Sequence, residues 1–453
     1  MSATAAAVEA VWRIEAGRLV GALARRTGDF AAAEDLAQDA LEVALRQWPR
    51  DGIPDHPASW LMATAQHLAV DRYRREQNLG SKLTVLAADQ LARGPAQADP
   101  MSDLADELDT SVRDDLLRLV FTACHPALST DSQVALILRT LGGLQTRDIA
   151  RAFLTSETTM GQRISRAKRT LAEADAPFAL PSTTELPDRL TAVLGVIYLI
   201  FNEGYSAAAG EDWTRPALCQ EALRLGRVLV GLLPEHAEAH GLVALMELQA
   251  SRLLARTGPG GEPVLLADQD RRRWDHLLIA RGLAALHRAE DLGGGPLTVQ
   301  AAIAACHARA GSVEDTDWPR VVALYTVLAH LRPSPVVLLN RAVAIGMAEG
   351  PARGLAEVEH LRAEPALAGY PQLPAVRATF LQQLGDHQQA RHEFERAAAT
   401  TGNGAERRLY LRQAREAGQP SSSRPGGWRL DAVSGTPVVD SEDAAPLTPL
   451  PRP

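Results

Sequence analysis

Several chemistries are excluded by what the chain lacks. Aromatic residues make up only 4% of 453 positions, and no alternating apolar–polar run suggests a β-strand. The three cysteines, Cys124, Cys219 and Cys306, lie far apart with no CxxC pair, so neither a disulfide framework nor a cysteine zinc site is indicated. There is no basic start followed by an apolar core, which speaks against a secretion signal. The most apolar stretch, Leu190–Phe201, is too short to cross a bilayer and reads as a buried helix. No glycine loop suited to cradling phosphate and no convincing pair of catalytic carboxylates emerges. Nor is the chain basic: its net charge of −8 excludes binding nucleic acid by bulk attraction, so any DNA contact must come from local basic patches.

What is present favours helix. Alanine, leucine and arginine dominate, and the length calls for several domains. Helical periodicity over about 8–76 is broken by the turn cluster RDGIPDHP. Residues 79–111 then lose periodicity, gather Gly80, Gly94, Pro95 and Pro100, and carry Asp89, Asp99, Asp103, Asp106, Glu107 and Asp109; they read as an acidic flexible linker. A second helical block follows. From about Pro181, helices punctuated by proline and glycine continue to about Arg415, and the Pro/Ser/Gly-rich tail reads as disordered. Two stretches near the end repeat at 34 residues, pairing Ala344 with Ala378 and Ala356 with Ala390, the tetratricopeptide period.

The most specific local signal is LQTRDIARAFLTSETTMGQRISRAKRTL, from Leu144 to Leu171. Thr146 is positioned to cap a short helix with Ile149, Ala150 and Phe153 inward. Leu154 and Thr155 form a turn, and Ser156 caps a second helix with Met160, Ile164, Ala167 and Leu171 on one apolar stripe. This is a helix-turn-helix, whose second helix suits a major groove. Arg147, Thr158, Thr159, Gln162, Arg163, Arg166, Lys168 and Arg169 are its candidate DNA contacts, because basic and hydroxyl side chains hold phosphates or read base edges. Upstream, DLAQDALEVALRQW carries an acidic stripe beside an apolar one. The next helix, ASWLMATAQHLAVDRYRREQ, has Ser59 available as a cap and ends in arginines with aromatics interleaved, a pattern suited to phosphates flanking unpaired bases.

In this order the motifs resemble those of the extracytoplasmic-function sigma factors, a branch of the sigma-70 family of bacterial RNA polymerase. Asp35, Leu36, Gln38, Asp39 and Leu41 match the family's DLxQDxLxxAL helix, which docks on the clamp of the polymerase largest subunit; Glu42 lies beside them. Trp60, Leu61, Ala65, Leu68, Asp71, Arg74 and Arg75 match the WLxxxAxxLxxDxxRR helix that reads and melts the promoter −10 element. The resemblance implies −10 contacts from Trp60, Gln66, His67, Asp71, Arg72, Arg74 and Arg75, although His67 stands where asparagine is frequent. It implies −35 contacts from the helix-turn-helix.

LVFTACHPALS, FNEGYSA, WPRVVALY and PSPVVLLNRAVAI are similar to the subgroup with a long tetratricopeptide-like C-terminal extension. The expected fold is therefore all-α: sigma region 2 over 1–78, the linker over 79–111, sigma region 4 over 112–177, a helical-repeat extension over 178–416 and a disordered tail over 417–453. Expected partners are core RNA polymerase and promoter DNA, with a regulatory protein or ligand on the extension and no membrane. The resemblance implies a cytoplasmic protein with no catalytic residue, metal or cofactor. The alternative is a helix-turn-helix regulator on a repeat scaffold that acts without being a polymerase subunit.

Smaller clusters read as structural. Cys124 and His125 are sequence neighbours that do not face one another on a helix. His236 and His240 share a helix face but lack HExxH. RRRWDH, from Arg271 to His276, reads as a surface basic cluster, and Asn202, Glu203 and Tyr205 of FNEGYS as either a buried hydrogen-bond network or a ligand pocket.

Overall fold

The structure is a computed structural model describing residues 3–77 and 103–418. Among them there are helices and short 3₁₀ turns but no β-strand. None of these helices is long and apolar enough to cross a membrane. The residues up to Val196 form one compact unit and those from Ile197 a second.

The first unit begins with α1 (Ala3–Thr27), α2 (Phe30–Asp51) and α3 (Pro57–Gln77). Helix α1 buries Trp12, Ala16, Leu19, Val20, Leu23 and Ala24, an apolar stripe at three- and four-residue spacing. Asp29 caps α2, its carboxylate accepting from the N–H groups of Ala31 (2.8 Å) and Ala32 (3.1 Å). Helix α3 starts at Pro57, which suits the first helical turn; Ser59, expected as its cap, already lies inside it.

The chain then continues through α4 (Asp103–Ala123), α5 (Thr130–Thr140), α6 (Thr146–Ala152) and α7 (Glu157–Glu173). Helix α4 begins within the stretch expected to be linker, whose residues 79–102 lie outside the described residues. It packs directly on α1. Gly17 and Gly21 make this close: a Cβ on Gly21 would lie 3.1 Å from the Asp115 carbonyl oxygen, and one on Gly17 3.1 Å from Leu116 Cδ2. The two expected sigma domains are therefore parts of one packed unit. Asp115, buried at that seam, pairs with Arg25 (3.3 Å) and Arg118 (3.2 Å). Burial raises its pKa, and the two arginines only partly offset this. Stability from such a group is present below its unfolded pKa and lost as pH rises through the folded value. Asp115→Asn is accordingly expected to leave the thermal midpoint within a few degrees of wild type at pH 7, checked by calorimetry.

Helix α8 (Leu186–Tyr205) crosses the boundary between units. In the first unit, Arg189 donates to the Phe121 carbonyl at 2.5 Å. The second unit contains α9 (Pro216–Leu232), α10 (Ala237–Ala250), α11 (His276–Asp291), α12 (Pro296–Arg309), α13 (Trp318–Leu331), α14 (Pro335–Glu349), α15 (Pro351–Leu361), α16 (Gln372–Gln383), α17 (His387–Thr400) and α18 (Gly404–Ala417). Helix α10 is apolar nearly all round and is enclosed by α9, α11 and α12. The one carboxylate in its buried stretch, Glu247, holds Arg227 (2.8 Å) and Arg281 (3.2 Å).

The expected repeat is present only in part. Ala344 on α14 and Ala378 on α16 are both fully buried, and so is Ala390 on α17, but Ala356 is exposed. On α15 the buried places are taken by Gly354 and Val358, so the second helices of the two hairpins are out of the 34-residue register. The helices also do not run on as an open array, in which each repeat touches only its neighbours. The Asn403 side-chain amide at the start of α18 donates to the carbonyls of Ala207 and Asp212, each at 2.9 Å, and Gly404 N–H donates to Gly210 (2.7 Å). The last helix is thereby fastened to the loop that follows FNEGYS.

Within FNEGYS, Glu203 pairs with Arg215, and buried Tyr205 stacks on Phe201 with centroids 5.6 Å apart. Gly204 lies where α8 meets α9: a Cβ there would come 2.6 Å from the Cys219 backbone nitrogen. Backbone cannot yield as a flexible side chain can, so Gly204→Ala is expected to destabilise this unit by about 1–3 kcal/mol, read as a lower thermal midpoint.

Candidate nucleic-acid interface

The helix-turn-helix forms much as its residues dictate. Ile149 and Ala150 of α6 are buried, Leu154 turns the chain with φ +51°, and Ser156 Oγ accepts from Thr159 N–H at 3.0 Å to cap α7. The α6 cap is Gln145, one residue before the expected Thr146, and it makes no side-chain bond. Met160, Ile164, Ala167 and Leu171 are the buried residues of α7, as the stripe predicts.

That burial fixes where the candidate DNA-contacting side chains stand. Arg147, Thr158, Gln162, Arg166 and Arg169 are exposed. Among the described residues, Arg147 and Arg169 meet nearby carboxylates on their own helices, Asp148 (3.9 Å) and Glu173 (3.7 Å). Such exposed pairs are weak and yield readily to phosphate. Thr159 is half-buried, its hydroxyl 2.7 Å from Ser156 Oγ. Arg163 is half-buried and reaches Asp131 at the start of α5 (3.2 Å). Lys168 is turned inward, away from the open side of α7.

Lys168 meets the helix expected to bind polymerase. Its ammonium group contacts Glu34 and lies 2.7 Å from Asp35 Oδ1, both on α2. Burial pulls the Lys168 pKa down, but the two carboxylates outweigh it and the net shift is upward. Arg139 of α5 reaches the same Glu34 at 3.0 Å. Glu34 is only 1% exposed, so this is a buried carboxylate gripping two cations. It went unnoticed in the sequence although a signal existed: Glu34 falls within the apolar stripe of Phe30, Ala37, Leu41 and Ala44, and a charge there needs a partner.

The remaining expected polymerase contacts divide. Asp39 and Glu42 are exposed and Gln38 half-buried on the outer side of α2. Leu36 and Leu41 are instead 3% and 5% exposed; they fasten α2 to its own unit and are not on its outer face. On α3, Trp60 is half-buried and meets Trp48 edge-on at 5.3 Å. Gln66 is half-buried, while His67 and Asp71 are exposed one turn apart. The side chains of Arg72, Arg74 and Arg75 lie outside the described residues.

No group of three or more histidine, cysteine, aspartate or glutamate side chains among the described residues could hold a metal ion. Cys124 is fully buried and its thiol is pushed up to about 12 by that burial, which removes it as a nucleophile at neutral pH.

Three family models match parts of the chain. Residues 12–79 match Sigma-70 region 2 and residues 118–171 match Sigma-70 region 4. Residues 189–290 match a family of unknown function, DUF6596. An uncharacterized protein of Rhizobium meliloti (strain 1021) is 45% identical over 395 residues, covering 87% of this chain and 91% of its own length. The probable ECF RNA polymerase sigma factor SigI of Mycobacterium tuberculosis is 27% identical over 167 residues; the match covers 37% of this chain and about half, 55%, of that protein. The ECF RNA polymerase sigma factor SigK of Mycobacterium bovis is 28% identical over 155 residues, 34% of this chain and 78% of its own.

Proposed function

Since the chain belongs to the extracytoplasmic-function sigma factors of the sigma-70 family, in the subgroup with a long helical extension, we propose that it binds core RNA polymerase and directs promoter-specific initiation. One observation carries the reading: a capped helix-turn-helix with Arg166 and Gln162 outward lies in the same unit as α2, whose Asp39 and Glu42 face outward. Asp35, Gln38, Asp39 and Glu42 hold the polymerase clamp, while Leu36 and Leu41 support that helix from beneath. Arg166, Gln162, Thr158, Arg147 and Arg169 meet the −35 element. Trp60, Gln66, His67 and Asp71, with the arginines that follow, meet the −10 element, stacking on unpaired bases. Bond making belongs to the polymerase, and the protein works in the cytoplasm. The extension regulates this activity.

Lys168 has a place in that scheme. While it is gripped by Glu34 and Asp35 it cannot reach phosphate, and one oxygen of the half-exposed Asp35 is taken. Lys168 can engage phosphate only once the pair opens, so the closed arrangement is the resting state.

DNA fragments enriched from the genome by the chain–core complex provide the test. The chain alone should bind them weakly and the complex tightly, with permanganate-reactive thymines near the start site. Tight binding of the chain alone, unchanged by core and without melting, would support a regulator that is not a polymerase subunit. On the same fragments Arg166→Ala should weaken binding of the complex by about 1–3 kcal/mol if it reads a base, with relaxed specificity at one −35 position. If it holds phosphate, the loss should be uniform and the salt slope should fall by about one unit.

A further inference from the structure

Helix α7 presents less free charge than its sequence suggests. It carries Arg163, Arg166, Lys168 and Arg169. Two of these are tied to carboxylates of other helices: Lys168 to Glu34 and Asp35 of α2, and Arg163 to Asp131 in the first turn of α5. Arg169 meets Glu173 on α7 itself, with both side chains exposed. Arg166 has no carboxylate partner among the described residues.

The pair between Arg163 and Asp131 differs from the Lys168 contact in where it lies. Lys168 joins α7 to α2, and that contact is lost when the pair opens. Asp131 belongs to α5, which packs directly on α7 beside α6, so its contact stays inside the helix-turn-helix block and persists whether or not Lys168 is free. The two side chains are 23% and 35% exposed at a separation of 3.2 Å. Being partly shielded from water, this pair holds more firmly than the exposed contacts of Arg147 and Arg169.

Its place on the helix gives the pair a role in DNA binding. Met160, Ile164, Ala167 and Leu171 define the inward side of α7, and Gln162 and Arg166 its open side. Arg163 is one residue after Gln162 and three before Arg166, which puts it on the flank between those sides. A helix seated in a major groove meets base edges with its open side and the phosphate backbone with its flanks. The Arg163 guanidinium therefore stands where phosphate would pass, with a carboxylate already against it. Carboxylate and phosphate both suit the guanidinium fork and compete for it.

We propose that Asp131 is a positioning residue for DNA binding: it competes with DNA phosphate for Arg163 and so limits the sequence-independent affinity of α7. This rests on the reading of α7 as the DNA-facing helix and not on polymerase binding. With Arg163 withheld, base contacts contribute a larger share of the affinity than phosphate attraction does.

The full chain is titrated with two duplexes of unrelated sequence over a range of salt concentrations. Asp131→Asn keeps the size and polarity of the side chain but releases Arg163, adding about one phosphate contact. The plot of log affinity against log salt should steepen by about 0.9, and binding at about 0.1 M salt should tighten roughly 3- to 10-fold. The gain should be equal on both duplexes, because phosphates carry no sequence information. Arg163→Gln should cancel it, so that the double variant binds like Arg163→Gln alone. A purely structural role for Asp131 would move the thermal midpoint and leave the salt slope unchanged. The proposal is overturned if the slope of Asp131→Asn equals that of wild type. It is equally overturned if the gain survives in the Arg163→Gln background, since removal of a nearby negative charge would then account for it. Arg166→Ala separates the two levels. If it weakens duplex binding while Asp131→Asn changes nothing, the role of Asp131 alone fails; if neither has an effect, α7 does not face DNA and both readings fall.

Discussion

Glu34→Leu is expected to destabilise the first unit by about 3–5 kcal/mol, because at a buried seam it strands Arg139 and leaves Lys168 with Asp35 alone. Arg139 and Lys168 both turn inward to this one carboxylate, with side chains each 16% exposed. A surface ion pair at the same distance would contribute less than about 1 kcal/mol, so exposure decides the size of the effect. Glu34→Gln should fall between, since the amide keeps one acceptor for Arg139 but loses the charge. Substituting all three residues with apolar ones of similar size, Glu34→Leu with Arg139→Met and Lys168→Met, should restore most of the loss, as removing a whole buried ion cluster is often neutral. Calorimetric midpoints for the single and triple variants form the necessary comparison. A Glu34→Leu protein as stable as wild type would show that the seam is not held this way.

The seam also has a defined pH behaviour. Lys168 has a folded pKa above its ordinary 10.5, so its contribution is complete below that value and is lost only as pH rises through the folded pKa. Across neutral pH the resting arrangement should not open by titration of Lys168. Opening is instead assigned to competition, with phosphates drawing on Lys168 and the polymerase on Asp35.

Trp60→Ala is expected to reduce promoter opening by roughly 5- to 150-fold, the equivalent of about 1–3 kcal/mol for one lost base–aromatic stack. The ring is half-buried against Trp48, so part of any defect could arise from packing. Two comparisons separate these causes. Trp60→Phe retains a stacking face and should recover most of the opening, and binding of Trp60→Ala to core polymerase should stay at wild-type strength. Opening at the wild-type rate by the alanine variant would remove Trp60 from the −10 site.

Much of the DNA-reading unit was legible because its determinants are local. The stripe of Met160, Ile164, Ala167 and Leu171 and the Ser156 cap lie within one turn of the residues they organise, so spacing alone specifies them. The local misses of sequence reading fall at helix starts: Gln145 takes the cap expected of Thr146, and Ser59 lies inside the helix it was expected to cap. What spacing does not supply is the long-range partners. Lys168 looks like any basic side chain on a recognition helix, and only the fold brings it to Asp35, 133 positions earlier. Leu36 and Leu41 match a docking motif yet face inward, since one helix must present two faces and the motif does not say which residues serve which. In the extension, Asn403 is fastened to Ala207 across 196 positions, a closure that no repeat period reveals. RRRWDH, expected on the surface, is likewise split: Arg272 and Arg273 are exposed but Trp274 is buried, with Arg252 over its ring at 5.6 Å, and nothing in the sequence distinguishes a buried Trp274 from an exposed one.

As a sigma factor, this chain is expected to make core polymerase start at defined promoters. That expectation is tested most directly by transcribing fragmented genomic DNA with purified core polymerase, with and without the chain, and sequencing the RNA 5′ ends. A small set of start sites should appear only when the chain is added and disappear when Asp39 and Glu42 are replaced by arginine. The same RNA ends with and without the chain, together with no retention of core polymerase on it, would contradict the account.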